Sequence, residues 1–301
     1  MKLASYRAAG GELRAGLVVD DAVIDVERAG RQLGEDLPAD LLAILAQGQA
    51  GMAALERVAA AATRLEAMPL AELALGPVLP RPPKILLLAG NYQSHITEGG
   101  APPVNKAEIT PRFFLKPGTA VIGTGEAIRT PPISAAIDYE VEVAAVIGRG
   151  GRDIAETDAL AHVAGYVLFN DISARRLTVV GNRKHRNGDE FFDWLVGKWC
   201  DTFAVIGPYL VTADEIPDVG ALELALRVNG ELRQHSSAGE MIFTLPEAIA
   251  WISAFLTLEP GDLICMGTPG GVGDTTQTYL QPGDLVEATA ESLGALVNRV
   301  A

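Results

Sequence analysis

What most constrains this chain is a succession of short β-type runs that begins at residue 85 and continues to the C-terminus. ILLLAG, RFFLKP, IDYEVEVAAVIG, GYVLFND, FAVIG, LELALRV, DLICMG, DLVEATA and ALVNRV are rich in β-branched or aromatic residues and bounded by Gly, Pro or Asp. No helical pattern alternates regularly with them, which disfavours a doubly wound parallel sheet or a (β/α)8 barrel. A β-rich α+β fold is predicted. The clearest hairpin is LELALRV-NG-ELRQH, because Asn229 and Gly230 suit the positive φ angles of a type I′ turn. The best helix is the one opened by Pro246 and running through EAIAWISAF.

Ahead of these runs, KLASY, LRAGLVV and a third run after Asp20 and Asp21 predict a small β-meander. Residues 39–68 turn helical, with Asp40 placed as an N-cap and Gly48 as a stop. The LPRPPK segment around Pro80, Pro82 and Pro83 blocks helix and central strand alike. A boundary near residue 75 is expected, between a small N-terminal α+β unit (1–75) and a larger domain (76–301).

With 301 residues, 49% of them hydrophobic and 21% charged, the chain can bury a core without disulfides or structural zinc. Cys200 and Cys265 stand alone and are expected as reduced thiols. A net charge of −14 argues against nucleic acid as a partner. MKLASYRAAGGELRAG contains no signal-peptide core, and no apolar run reaches membrane-spanning length. A cytoplasmic protein that does not enter the membrane is expected.

Strand alternation in IDYEVEVAAVIG puts Glu140 and Glu142 on one face, with Asp138 a further candidate on the same face. Two adjacent carboxylates either lie in water or hold a hard cation such as Mg²⁺, Mn²⁺ or Ca²⁺. Asp171 closes the apolar run GYVLFND, where it either joins that site or caps a helix over ARRLTVV. His95 and Glu98, three residues apart, suit one helical turn; the pair is either surface decoration or a base that activates water on a Gly-flanked flap. Lys116, Arg175 and Lys198 either pair with surface acids or face an anion, and Lys198 stands out in an apolar, tryptophan-bearing stretch. RKHRNGDE (183–190) reads as a solvated loop. GTPGGVG (267–273) is either a plain turn or a loop whose backbone approaches a ligand; it lacks the P-loop and Rossmann signatures.

Taken in order, GNYxxHxxE, FFLKP, DYEVEVAAVIG, NDISAR, GK-W-x-D-TF-x-x-IGP, VNGELRQ, MIF and GTPGGVG resemble the fumarylacetoacetate hydrolase superfamily from about residue 84 onward. The resemblance implies a β-rich, mixed-sheet, barrel-like roll, usually a homodimer, with Mg²⁺ or Mn²⁺ on Glu140, Glu142 and Asp171 and Ca²⁺ as a substitute. It implies that His95 and Glu98 form the water-activating dyad, that Lys198 and Arg175 contact a small oxo-carboxylate, and that Thr268 helps bind its carboxylate. Lys116 and Gly267 are carried as further substrate-binding candidates. Where many relatives continue the SAR motif with an acid and, two places on, a substrate-touching glutamine, this chain has Arg176 and Thr178. The expected reaction is metal-dependent hydrolysis of a C–C bond in a 2,4-dioxo acid, because water needs a base such as His95. Decarboxylation, tautomerisation or isomerisation on the same scaffold, and a non-catalytic metal-carboxylate binding protein, are the rival expectations.

Overall fold

The computed structural model describes residues 1–178 and 182–301. β1 (Lys2–Arg7), β2 (Leu13–Val19) and β3 (Ala22–Asp25) form the expected meander. A helix that the sequence analysis does not predict follows, α1 (Val26–Leu33), its N-terminus capped where Asp25 accepts from the Arg28 amide. The Ala-rich stretch divides into α2 (Leu41–Ala46), capped by Asp40, and α3 (Gln49–Ala60), which starts at Gly48.

Beyond β4 (Met68–Pro69) the β-type runs become strands. They are β5 (Ile85–Leu88), β6 (Phe113–Lys116), β7 (Val121–Ile122), β8 (Ala136–Asp138), β9 (Val141–Ile147), β10 (Val163–Asp171), β11 (Ser173–Arg175) and β12 (Ala204–Thr212). The series ends with β13 (Glu223–Val228), β14 (Glu231–Ser237), β15 (Leu263–Cys265), β16 (Leu285–Ala290) and β17 (Gly294–Arg299). Asn229 and Gly230 turn the β13–β14 hairpin at φ 51° and 80°. α4 (Gln93–Glu98) sits between β5 and β6, α5 (Asp189–Lys198) precedes β12, α6 (Leu245–Ser253) begins with Pro in its first turn, and α7 (Gly273–Thr276) closes the glycine-rich loop.

One large mixed sheet runs in the order β4-β3-β2-β1-β12-β10-β9-β15-β5-β6, with β7 beside β12. Its path ends at β4 and β6 without closing into a barrel. β1 pairs antiparallel with β12, so the N-terminal strands extend the sheet that carries the site. β8 and β11 form a separate ribbon, and β14-β13-β16-β17 a second sheet.

Alternation along β9 divides the core. Val141, Val143, Ala145 and Ile147 pack on one side of the sheet, while Ala144 and Val146 join the N-terminal helices on the other. Each fully buried Val or Leu in these rows stabilises the fold by about 1.5–3 kcal/mol. The second row turns acidic at its end, at Glu142 and Glu140. Among the described residues no helix is long and apolar enough to cross a membrane.

Candidate active site

β9 and β10 are neighbours, with Phe169 opposite Glu142, and the Asp171 amide donates to the Glu140 carbonyl at 2.8 Å. Residues directly opposite on paired strands share a face, as do residues two apart on one strand, so Glu140, Glu142 and Asp171 converge. One carboxylate oxygen from each lies within 4.8 Å of the others. Their exposures of 5%, 1% and 0% exclude the solvated-strand alternative. Nor does Asp171 cap a helix, because β11 follows it; the end of the helix envisaged over ARRLTVV, at 179–180, lies outside the described residues.

Buried carboxylates of like sign need compensation. Lys198 supplies part of it, its Nζ standing 2.6 Å from Asp171 Oδ2 and 2.9 Å from Glu140 Oε2. Arg175 bonds Glu140 and reaches Asp138 at 3.0 Å. Lys116 Nζ lies 2.7 Å from Asp171 Oδ1 and donates to the carbonyls of Ile172 and Phe203, each at 2.8 Å.

These fields separate the two glutamates. Burial alone would raise Glu140, but Lys198 and Arg175 hold it down to about 2. Burial pushes Glu142 well above the usual carboxylate range, and the charges of Asp171 and Glu140 push it further. Burial also lowers Lys116 against the pull of Asp171, whereas Asp171 and Glu140 overcome burial to raise Lys198.

Asp138 does not join the triad. The chain leaves strand geometry at Tyr139 and Glu140, so the parity that aligned Asp138 with Glu140 is broken. Its carboxylate instead takes Arg175 and the amides of Gly273 and Asp274, at 2.6 and 3.1 Å.

His95 and Glu98 share one turn of α4, with His95 Nδ1 2.5 Å from Glu98 Oε1. The other oxygen of Glu98 accepts from the Gly271 amide at 2.6 Å, and Ser94 Oγ accepts from Gly270 at 3.2 Å. The glycine-rich loop therefore holds the helix that carries the histidine. Gly267 reaches the triad directly, donating its amide to Glu142 Oε2 at 2.9 Å. Its φ is +84°, and a Cβ there would lie 3.0 Å from Asn91 and from the Leu88 carbonyl. The Thr268 hydroxyl donates to the Val141 carbonyl and accepts from Gln234, both at 2.9 Å.

A cavity of about 50 Å³ opens at this point, bounded by His95, Glu140, Arg175, Lys198, Thr268, Phe114, Trp194 and residues 88–90. Lys116 is not among its walls. Several residues given no role from the sequence shape the site. Gln234 ties the Val141 amide to Thr268 and Pro269, Asn91 joins β5 to Met266 and Phe243, and Phe114 and Trp194 put aromatic faces 5.4 and 5.9 Å from Lys198 Nζ. Asn91 and Gln234 lie inside GNY and VNGELRQ, so their blocks were visible even though their bonds were not.

The donor set suits a hard divalent ion: three buried carboxylates, one oxygen of each within 4.8 Å of the others. Comparison with known proteins agrees. The family model for the fumarylacetoacetate (FAA) hydrolase C-terminal region matches residues 84–301. A mitochondrial oxaloacetate tautomerase of Bos taurus is 41% identical over 266 residues, 88% of this chain and 80% of the relative. The oxaloacetate tautomerase YisK of Bacillus subtilis is 36% identical over 300 residues, 95% of each chain. Maleylpyruvate hydrolase from Sphingobium sp. SYK-6, solved with manganese(II) and pyruvate, superposes with a TM-score of 0.77 at 29% identity, covering 100% of this chain and 99% of that one.

Proposed function

The chain belongs to the fumarylacetoacetate hydrolase family, and from that premise we propose that it is a divalent-metal-dependent enzyme interconverting the keto and enol forms of a small 2-oxo dicarboxylate of the oxaloacetate type. The observation that carries this reading is one small cavity bordered by His95, Arg175, Lys198 and Glu140, with Glu140 belonging to the buried carboxylate triad and Glu98 bonded to His95 behind it. Two tautomerases that match most of this chain support the choice of reaction.

Glu140, Glu142 and Asp171 would hold Mg²⁺ or Mn²⁺, with Ca²⁺ as a substitute; the ion would supply electron withdrawal from the 2-oxo group. His95, oriented by Glu98, removes the proton next to the carbonyl at its free Nε2 and returns it to oxygen. Lys198 and Arg175 supply a fixed positive field where negative charge gathers on the enolate oxygen. Thr268 borders the cavity on the side where a substrate carboxylate would sit, while Gly267 holds Glu142 through its amide. The test follows the decay of enol absorbance of oxaloacetate with Mn²⁺ and after chelation. Undiminished catalysis in chelator-stripped protein would reject the reading.

A second reading, hydrolysis of a C–C bond in a 2,4-dioxo acid, is favoured by the His95–Glu98 hydrogen bond, which suits activation of water, and by the likeness to a maleylpyruvate hydrolase. Product analysis by mass on 2-oxo and 2,4-dioxo acids separates cleavage, carbon dioxide release and isomerisation.

Assembly as a homodimer belongs to the same reading. Phe191, Trp199, Leu115 and Phe255 are each 43–58% exposed around one cleft of about 1240 Å³, an apolar face that a partner copy would cover.

A further inference from the structure

Lys116 stands apart from the other cations of the site. Its side chain has no exposed surface, and its nitrogen meets one carboxylate oxygen at 2.7 Å and two backbone carbonyls at 2.8 Å. Three oxygens and no donor surround that nitrogen; a neutral amine would set its lone pair against one of them. An ammonium satisfies all three oxygens with its N–H bonds, and the Phe203 ring 5.8 Å away is a further cation-compatible neighbour. Lys198 differs, because it bridges Asp171 and Glu140 and borders the cavity. Lys116 is pinned to the chain at Ile172 and Phe203 and borders no part of that cavity.

We propose that Lys116 is a resident counter-charge to Asp171, keeping the carboxylate triad assembled without a metal ion and weakening the ion's binding in return. The proposal rests on the reading of Glu140, Glu142 and Asp171 as the metal site. Its sign follows from magnitude. An ion taken up by Asp171 faces a fixed positive charge at short range in a poorly screened interior, where Coulomb terms are several times larger than in water. Without Lys116, Asp171 keeps only Lys198, which it shares with Glu140, and the three carboxylates are left under-compensated. The two effects are linked: Lys116 weakens ion binding by as much as it stabilises the empty site over the loaded one.

The experiment compares wild type, Lys116→Met and Lys116→Arg, with Mn²⁺ affinity read by calorimetry and melting temperature read in chelator and in saturating Mn²⁺. Lys116→Met should bind Mn²⁺ about tenfold more tightly or better, melt lower in chelator, and show a larger Mn²⁺-induced rise than wild type. Lys116→Arg keeps the charge and should keep a rise close to that of wild type. A packing role alone would lower both melts equally and leave the Mn²⁺-induced rise unchanged. That result, or weaker Mn²⁺ binding by Lys116→Met, overturns the proposal. If Lys116→Met is unfolded in chelator, refolding on addition of Mn²⁺ supports it and failure to refold refutes it. A wild-type protein with no Mn²⁺-induced rise removes the metal reading itself, a failure distinct from equal rises in wild type and Lys116→Met.

Discussion

Glu98 joins the Gly271 amide, 2.6 Å away, to the His95 ring, 2.5 Å away on its other oxygen. The base is thus held in orientation by a loop far off in sequence. Gly271 has φ +104°, and a Cβ on it would lie 2.2 Å from the Arg233 carbonyl. Gly271→Ala must move the loop, at a local strain of about 1–3 kcal/mol. Turnover should fall more than about tenfold while Mn²⁺ affinity stays within a factor of about three, because the triad lies on other elements. Calorimetry beside steady-state kinetics checks this; unchanged kcat would show that the latch does not orient His95.

Glu142 gives a pH prediction. Its carboxyl is raised by burial and then by Asp171 and Glu140. A raised carboxyl stabilises the fold below its unfolded pKa of about 4.3, and that contribution is lost as pH climbs toward the raised value. At neutral pH the metal-free protein therefore carries a penalty at Glu142. Glu142→Gln should raise the melting temperature of chelator-treated protein by a few degrees, roughly 1–3 kcal/mol, and abolish the rise on adding Mn²⁺. Mn²⁺ affinity of the wild type should drop as pH falls, since the ion must displace a proton. Affinity independent of pH between about 6 and 8 would contradict it.

Arg175 links Asp138 to Glu140, and both carboxylates are buried. Removing the guanidinium leaves Asp138 with backbone amides alone, and breaking such a pair costs about 3–5 kcal/mol. Arg175→Met should show this loss in urea denaturation. The double variant Arg175→Met, Asp138→Asn should recover part of it, because no uncompensated charge is left there. Equal instability of single and double variants would place the defect in packing.

Much of this was legible in the sequence, and the limits have physical causes. The strands could be read because their alternation is local, and the β13–β14 turn because Asn-Gly selects its own geometry. The metal triad was half legible. Parity aligned Glu140 with Glu142, but their burial depends on Ala144 and Val146 facing the N-terminal helices, a tertiary fact. The same parity argument failed for Asp138, because the strand breaks at Tyr139–Glu140. α5 is hard to read from sequence because DEFFDWLVGK mixes aromatics with a glycine, a weak helical signal. Lys116 looked like a substrate contact from its motif; that its ammonium faces inward to Ile172 and Phe203 depends on strands distant in sequence.

The exposed aromatic face makes the last prediction. Phe191 and Phe192 stack edge to face at 5.8 Å on α5, Phe191 lies parallel to Trp194 at 6.0 Å, and Trp194 borders the cavity. Burying residues such as Phe191 and Phe255, each about half exposed, against a second copy would stabilise the dimer by about 1 kcal/mol for each large side chain. It would also brace the helix that ends at Lys198. Paired Phe191→Asp and Phe255→Asp substitutions put charge into that interface and should convert a dimer to monomers in light scattering. Turnover should fall with dissociation, since α5 loses its outer support, while the chelator-stripped melting temperature changes by less than it does in Arg175→Met. A wild type that is monomeric at assay concentration, or a doubly substituted protein still dimeric, would assign the face to something other than a second copy.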